Sequence, residues 1–240
     1  MVYEEKIAVG AKSLEKGNLM GNKAMLEAFE DIAGRHSDSL GYGLSDMSKT
    51  HIAWLLLDWE LKVIDRPKYG AELTARTWSR KIDKFYGIRD FELVDSEGKV
   101  RAAALSRWVL LNTVKRSPMR ADSEMEEKFQ SEPDRHALPG EITKLRQPLD
   151  YSSEIVYKVQ RRDIDIYGHV HNIYYLDMAM EALPEEAYSL RPFDSVKIVY
   201  HREIKLGDTI RCRYSRVDGR HVVAILSEKA STLHAVVELC

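Results

Sequence analysis

The sequence predicts an α+β chain in which one structural unit occurs twice, each copy a single amphipathic helix followed by long antiparallel strands. Three observations carry this reading. Apolar residues at helical spacing appear early in each half, around Met25–Ala33 and Ile173–Leu183. Alternating apolar and polar runs follow each stripe, separated by Gly-containing turns. Between the halves, residues 130–150 hold Pro133, Pro139, Gly140 and Pro148 among charges, with no sustained period.

In the first half, Met25, Leu26, Phe29, Ile32 and Ala33 fall on one helical face. A strand is expected over Ile52–Ile64, where Leu57, Trp59, Leu61 and Val63 alternate with Asp58, Glu60 and Lys62, so that one face is buried and one is wet. Arg66–Gly70 reads as a turn. Strands are expected near Glu72–Arg80, Gly87–Val94 and Val100–Asn112, with Asp95-Ser96-Glu97-Gly98 as a hairpin turn.

The second half repeats that order. A strand near Ser153–Gln160 precedes a segment dense in acids and histidines. A helix with Ile173, Leu176, Met180 and Leu183 follows. Strands come next at Val196–Tyr200, Thr209–Arg216, Val222–Ser227 and His234–Leu239, with a turn at Gly219. Asn22, Leu26, Glu27 and Asp31 match Asn172, Leu176, Asp177 and Glu181 at one offset. Gly70, Leu73 and Arg76 match Gly207, Ile210 and Arg213 at a slightly shorter one. The expected division is a first unit over 1–130, a linker over 131–150 and a second unit over 151–240. A helix wrapped by one sheet needs a second copy for full burial, so the two units are expected to form an internal pseudo-dimer sharing a continuous sheet.

Bulk properties exclude several classes. The net charge of −2 argues against non-specific nucleic-acid binding. No apolar run approaches the roughly 20 residues of a membrane helix. The start of the chain, Met1–Lys6, has neither a signal core nor a transit-peptide composition. Cys212 and Cys240 make no disulfide framework, and Cys212 alternates with Ile210 and Tyr214 as a buried strand residue would. The expected compartment is the cytoplasm.

The stretch Arg161-Arg-Asp-Ile-Asp-Ile-Tyr-Gly-His-Val-His-Asn-Ile-Tyr-Tyr175 packs acids, a Gly turn, two histidines and an Asn just before a helical pattern. Carboxylate and imidazole groups at a helix N-terminus, where backbone N–H groups can polarise a carbonyl, are the layout of acyl hydrolysis. A calcium loop starting at Asp163 fails at its fifth and twelfth positions, Tyr167 and Tyr174. His169 and His171 would need a third metal ligand from Asp165, His201 or Glu203, and His-x-His lacks a diagnostic partner motif. No Gly-x-Ser-x-Gly elbow supports a serine nucleophile, and neither Cys lies near a His in sequence. Acid/base chemistry by Asp165, His169 and a downstream carboxylate, best supplied by Glu203, is the remaining reading. Taken singly, an Asp before a helix is more often an N-cap and a Glu more often a surface charge.

The segment Asp165 to Tyr175 resembles the D-x-N-x-H-V-N-N-x-x-Y signature of the acyl-acyl-carrier-protein thioesterases, which release free fatty acids. Thr50-His-Ile-Ala-Trp54, Asp65-Arg-Pro…Gly70, Thr77-Trp78, Ser106-Arg-Trp108-Val-Leu and Tyr200-His-Arg-Glu203 extend the resemblance, in the family's order, over nearly the whole chain. It implies a tandem (double) hotdog fold, with catalysis in the second unit and acyl binding in the first. The family's Asp falls on Asp165, its His on His169 and its Glu on Glu203, with Asn172 in support. Tyr167 stands where the family has Asn, His171 replaces the first Asn of the following pair, and Ile204 replaces a Cys common in plant members. At the repeat offset, Glu15 faces Asp165 and Leu19 faces His169, so one active site per chain is expected.

The implied mechanism is hydrolysis by water that Glu203 orients or deprotonates. His169 binds the carbonyl or protonates the leaving thiolate, and Asp165 fixes its orientation. Asp165 as a direct nucleophile stays open. The implied partner is an acyl carrier protein with its acyl-phosphopantetheine arm. Arg76, Arg80, Lys81, Arg211, Arg213, Arg216 and Arg220 are candidates for a basic docking rim. Met25, Phe29, Met47 and Trp54 are candidates for the acyl site. No cofactor and no metal are expected, a homodimer is left open, and an acyl-coenzyme A thioesterase and a non-catalytic acyl-binding protein remain alternatives.

Overall fold

The computed structural model describes residues 1–240. The chain divides into two compact units, Met1–Ile142 and Thr143–Cys240.

The first unit opens with strand β1 (Tyr3–Ala8) and a small pairing of β2 (Leu14–Glu15) with β3 (Leu19–Met20). Helix α1 spans Asn22–Ser39 and buries Met25, Leu26, Phe29, Ile32, Ala33 and His36, the stripe that its sequence spacing dictates. A short helix α2 (Met47–Thr50) leads into β4 (Ile52–Val63), β5 (Glu72–Asp83), β6 (Tyr86–Asp95) and β7 (Val100–Asn112). The two-residue β8 (Ser117–Pro118) and helix α3 (Ser123–Phe129) follow. The sheet order is β1-β5-β6-β7-β4, antiparallel throughout. Phe29 of α1 lies 5.1 Å from Phe91 and 6.5 Å from Trp59, ring centre to ring centre, so helix and sheet meet over an aromatic core.

One expected alternation breaks inside β4. The register against β7 slips between Leu56 and Asp58, which makes Leu57 an extra residue. Such a bulge reverses which side chains face inward. Trp59, Leu61 and Val63 are buried as expected, but Leu57 is only half-buried and Leu56 takes the core position. Asp58, expected to be wet, is 1% exposed and accepts from Arg107 Nε at 2.6 Å.

Residues 131–150 carry no helix or strand. Their first part is nonetheless tied to the first unit. Trp78 Nε1 donates to Arg135 O at 2.9 Å, and Leu138 packs with Ala103 and Leu105. Arg80 binds Asp90 through Nε and Nη2 at 2.7 and 2.6 Å and donates to Leu138 O and Gly140 O.

The second unit is a smaller version of the same plan. It has β9 (Ser153–Lys158), α4 (Tyr174–Glu181), α5 (Glu185–Tyr188), β10 (Ser195–Tyr200), β11 (Thr209–Val217), β12 (Arg220–Ser227) and β13 (Leu233–Leu239). The order is β10-β13-β12-β11-β9, again antiparallel. Helix α4 stops at Glu181, two residues before the expected Leu183, because Pro184 cannot continue a helix. The matched glycines Gly70 and Gly207 both hold positive φ, +77° and +86°, in turns that lead into β5 and β11.

Candidate active site

Two loops of the second unit build the site. In the first, Ile164 and Val170 form an antiparallel bridge, and Asp165 N donates to His169 O at 2.8 Å. Gly168 closes the turn at φ +82°, a conformation that suits glycine. The Asp165 carboxylate accepts from the backbone N–H of Tyr167 at 2.8 Å and of His169 at 3.2 Å, both on Oδ1. Asp165 therefore holds the turn that carries His169 through two backbone N–H groups. Upstream, Asp163 is buried and accepts from Tyr157 OH and from Gln160 N, each at 2.7 Å. Its carbonyl also accepts from His171 N at 2.9 Å.

The second loop follows β10. Val170 N donates to Ile204 O at 2.8 Å, and His169 pairs with Lys205 in an antiparallel bridge. Ile204 is buried, so its neighbours Glu203 and Lys205 point away from the core. This register brings His169 Nε2 to 3.1 Å from Glu203 Oε2. Lys205 Nζ lies 3.0 Å from Glu203 Oε1. Glu203 is thus held between an imidazole and an ammonium group, in reach of solvent. A carboxylate so positioned can orient a water, and an adjacent imidazole can donate to an oxyanion or a leaving group. Lys205 is a site residue that motif reading missed; its only signal is its place two residues after Glu203.

Tyr167 sits at the exposed tip of the turn. Burial of its ring and the Asp165 charge push its phenol above the ordinary range, so at neutral pH it is a hydrogen-bond donor. Asn172 is half-buried, and its carbonyl accepts from Tyr200 OH at 2.9 Å. Tyr200 stands edge-on to Tyr175 at 5.3 Å, and burial pushes the Tyr175 phenol well up. These two tyrosines, present in the quoted motifs but given no role there, pack the two loops together. His171 takes the Ile173 N–H on Nδ1 at 3.4 Å and lies 5.8 Å from Tyr174, so the two histidines have separate partners. The three residues before α4 form a turn, and the helix begins five positions after His169.

The acyl-site candidates lie in the first unit, in two groups. Met25 and Phe29 are fully buried, with Phe29 in the Trp59–Phe91 core. Trp54 instead packs against Phe129 at 6.1 Å, in the cluster of Tyr42, Leu110 and Met125, and Met47 is half-buried in α2. Several residues of the expected basic rim are engaged elsewhere. Arg80 is buried on Asp90. Arg76 pairs with Glu4, Lys81 with Asp83, and Arg220 with Glu238. Arg211 and Arg213 share Glu154. Arg216 is exposed.

A model of the acyl-ACP thioesterase N-terminal domain matches residues 1–129, and one of the acyl-ACP thioesterase C-terminal domain matches residues 146–238. The chain is 25% identical over 226 residues to oleoyl-acyl carrier protein thioesterase 1 of Arabidopsis thaliana, covering 87% of this chain and 62% of that one. It spans about three fifths of the length of the first plant relatives it matches. Among solved structures, an acyl-ACP thioesterase from Bacteroides thetaiotaomicron superposes with a TM-score of 0.88 at 18% identity, covering 99% of this chain and 96% of that one. The 12:0-ACP thioesterase of Umbellularia californica gives 0.86 at 19% identity, with the same coverage. The fold is the tandem hotdog that the sequence led one to expect. With both domain models matched in order along its length, the chain belongs to the acyl-ACP thioesterase family.

Proposed function

We propose that this protein hydrolyses the thioester of acyl-acyl carrier protein, releasing a free fatty acid and ending chain elongation. The reading puts catalysis in the second unit and acyl-chain selection in the first, with the two parted near residues 131–150. Its partner is the acyl carrier protein with the acyl chain on a phosphopantetheine arm. The cytoplasm is the proposed compartment, supported by two cysteines that form no disulfide.

The observation that carries the proposal is the His169–Glu203 contact at 3.1 Å between residues 34 positions apart, in a member of a thioesterase family. In the proposed reaction, Glu203 takes a proton from water as its oxygen attacks the thioester carbonyl carbon. His169 stabilises the developing oxyanion, passes a proton to the sulfur as the carbon–sulfur bond breaks, and regains one from the protonated Glu203 across their contact. Positioned acid/base groups of this kind are worth about 10²–10⁴ in rate each, and one oxyanion donor about 10²–10³. Asp165 acts through the turn, holding His169 by its backbone. The Tyr167 phenol supplies the donor that the family's Asn would have supplied.

The test is hydrolysis of acyl chains of graded length on the carrier protein and on coenzyme A. Faster turnover of the carrier-bound substrates is expected. Preference for coenzyme A would make the protein an acyl-coenzyme A thioesterase. Acyl binding without turnover of either would make it a binding protein.

A further inference from the structure

Around the His169–Glu203 pair, the acids and the bases of the two loops are disposed differently. Asp163 is buried, Asp165 is half-buried and Asp208 is exposed, and each accepts a backbone N–H, from Gln160, from Tyr167 and His169, and from Lys205. Glu203 is occupied by His169 and Lys205. The guanidinium groups face water. Arg161 and Arg202 are exposed and neither is in an ion pair, and the Arg162 side chain is 82% exposed with its Nε 3.8 Å from Asp163 Oδ1. These carboxylates hold the turns or pair with His169 and Lys205, while Arg161 and Arg202 are left without a counter-charge.

The same loops expose apolar side chains. Ile166 is 74% exposed, Tyr167 53% and Leu206 53%. The bridge of His169 to Lys205 sets Leu206 across from Gly168, beside the tip that carries Ile166 and Tyr167. Exposed apolar side chains gathered in one place and rimmed by polar groups are a feature of interaction surfaces. Of the expected rim, Arg76, Arg80, Lys81, Arg211, Arg213 and Arg220 are in ion pairs and Arg216 is exposed, so most of those positions present little free positive charge.

We infer that Ile166 and Leu206, flanked by Arg161, Arg162 and Arg202, form the docking surface for the acidic face of the carrier protein. This rests on the carrier-protein reading above. A substrate tethered to a protein requires that protein to rest within an arm's length of the reacting carbon. This patch adjoins the reacting pair and presents both apolar area and the unpaired positive charge of Arg161 and Arg202. The acidic partner supplies the complementary charge, which steers encounter and sets salt dependence more than it sets final affinity.

Two double variants test it: Arg161→Glu with Arg202→Glu, and Ile166→Ser with Leu206→Ser. Each is assayed with one acyl chain on the carrier protein and the same chain on N-acetylcysteamine, a thioester without a carrier. The expected result is a fall of about tenfold or more in kcat/KM for the carrier substrate, carried by KM, with unchanged turnover of the small thioester. The charge variant should also lose most of the salt dependence. An unchanged carrier kcat/KM, or equal falls with both substrates, would overturn the surface. A titration of fluorescently labelled holo carrier protein, read by anisotropy, separates the two readings. Wild-type binding that both double variants weaken, without turnover of any carrier substrate, would keep the surface and sink the hydrolase. Absence of wild-type binding, or equal binding by both variants, would sink the surface.

Discussion

The two units share a plan and differ in where they invest it. The first has an 18-residue helix and four sheet strands of 10 to 13 residues, packed around Phe29, Trp59 and Phe91. The second has an 8-residue helix and strands of 6 to 9 residues, with its titratable groups gathered on two cross-bridged loops. A long helix stripe buries more apolar area, and an irregular loop pair can turn carboxylate and imidazole toward water. The position that holds His169 in the second unit corresponds to Leu19 in the first, and Leu can neither donate nor accept a proton. Under the proposed function, this difference assigns burial to the first unit and chemistry to the second.

The largest test of that division is catalytic. Glu203→Gln and His169→Ala should each lower kcat by about 10²–10⁴ with the fold retained. Glu15→Gln and Leu19→Ala, at the corresponding positions of the first unit, should leave kcat essentially unchanged. Steady-state assay of folded variants checks both, and a first-unit variant with lost kcat would break the asymmetry. Asp165 sharpens it further. Asp165→Asn keeps an oxygen for the Tyr167 and His169 N–H groups, whereas Asp165→Ala does not. Most activity should survive in Asn and be lost in Ala; equal loss in both would return Asp165 to a direct chemical role.

Next in size is stability. Asp90 is fully buried and bound to Arg80 at two atoms. Asp90→Ala leaves a buried guanidinium without its counter-charge and should cost about 3–5 kcal/mol in urea unfolding. In the second unit, the Arg220–Glu238 pair is half exposed at 3.2 Å, and Arg220→Met should barely shift the midpoint. Comparable losses would show that the first unit's polar core is not special.

Acid sensitivity should also divide between the units. His36 is buried, and desolvation together with the Arg89 cation lowers its pKa from 6.5 to about 3. Its Nδ1 lies 2.9 Å from Arg89 Nη1, an arrangement that suits a neutral ring accepting a hydrogen bond. The unfolded chain takes up a proton that the folded one refuses. The contribution is therefore fully present above about pH 6.5 and is lost as pH falls toward about 3, at up to about 1.4 kcal/mol per pH unit. His36→Gln should flatten that slope. His221, buried against Tyr214 in the second unit, is also lowered by desolvation, and His221→Gln should flatten the slope less. Urea midpoints across pH 4–7 measure both; parallel curves for His36→Gln and wild type would remove His36 from the acid response.

The smallest effect concerns chain length. Trp54 is half-buried beside Gly87, whose place in β6 leaves its ring room. Trp54→Leu should shift the preferred acyl length, with one methylene worth about 0.8 kcal/mol, or about fourfold in relative kcat/KM. Met25→Trp and Phe29→Trp act on a closed core and should cost about 1–3 kcal/mol of stability instead. An unchanged length profile in Trp54→Leu would tell against acyl selection in the first unit.

Local features of this chain were legible because they depend on neighbours in sequence. The stripe from Met25 to Ala33, the glycine turns at Gly70 and Gly207, and the alternation through Trp59, Leu61 and Val63 follow from helix and strand periods alone. So did the residue types of the Asp165–Tyr175 segment and the presence of Glu203 downstream. The β4 bulge was not legible, since an extra residue is defined only against its β7 partner, and it moved Asp58 into the core. Arg80 read as a surface charge because alternation says which face a residue is on, not whether another segment will cover that face; residues 137–140 do. The Glu203 contact depended on one register, His169 against Lys205, which two loops acquire only when Ile204, Tyr175 and Tyr200 pack them together. The sequence by itself determined the main helices and long strands, the repeat and the identities of the candidate reacting groups. Only tertiary packing decided which groups meet, because long-range register is set by the summed burial of both loops and written in neither.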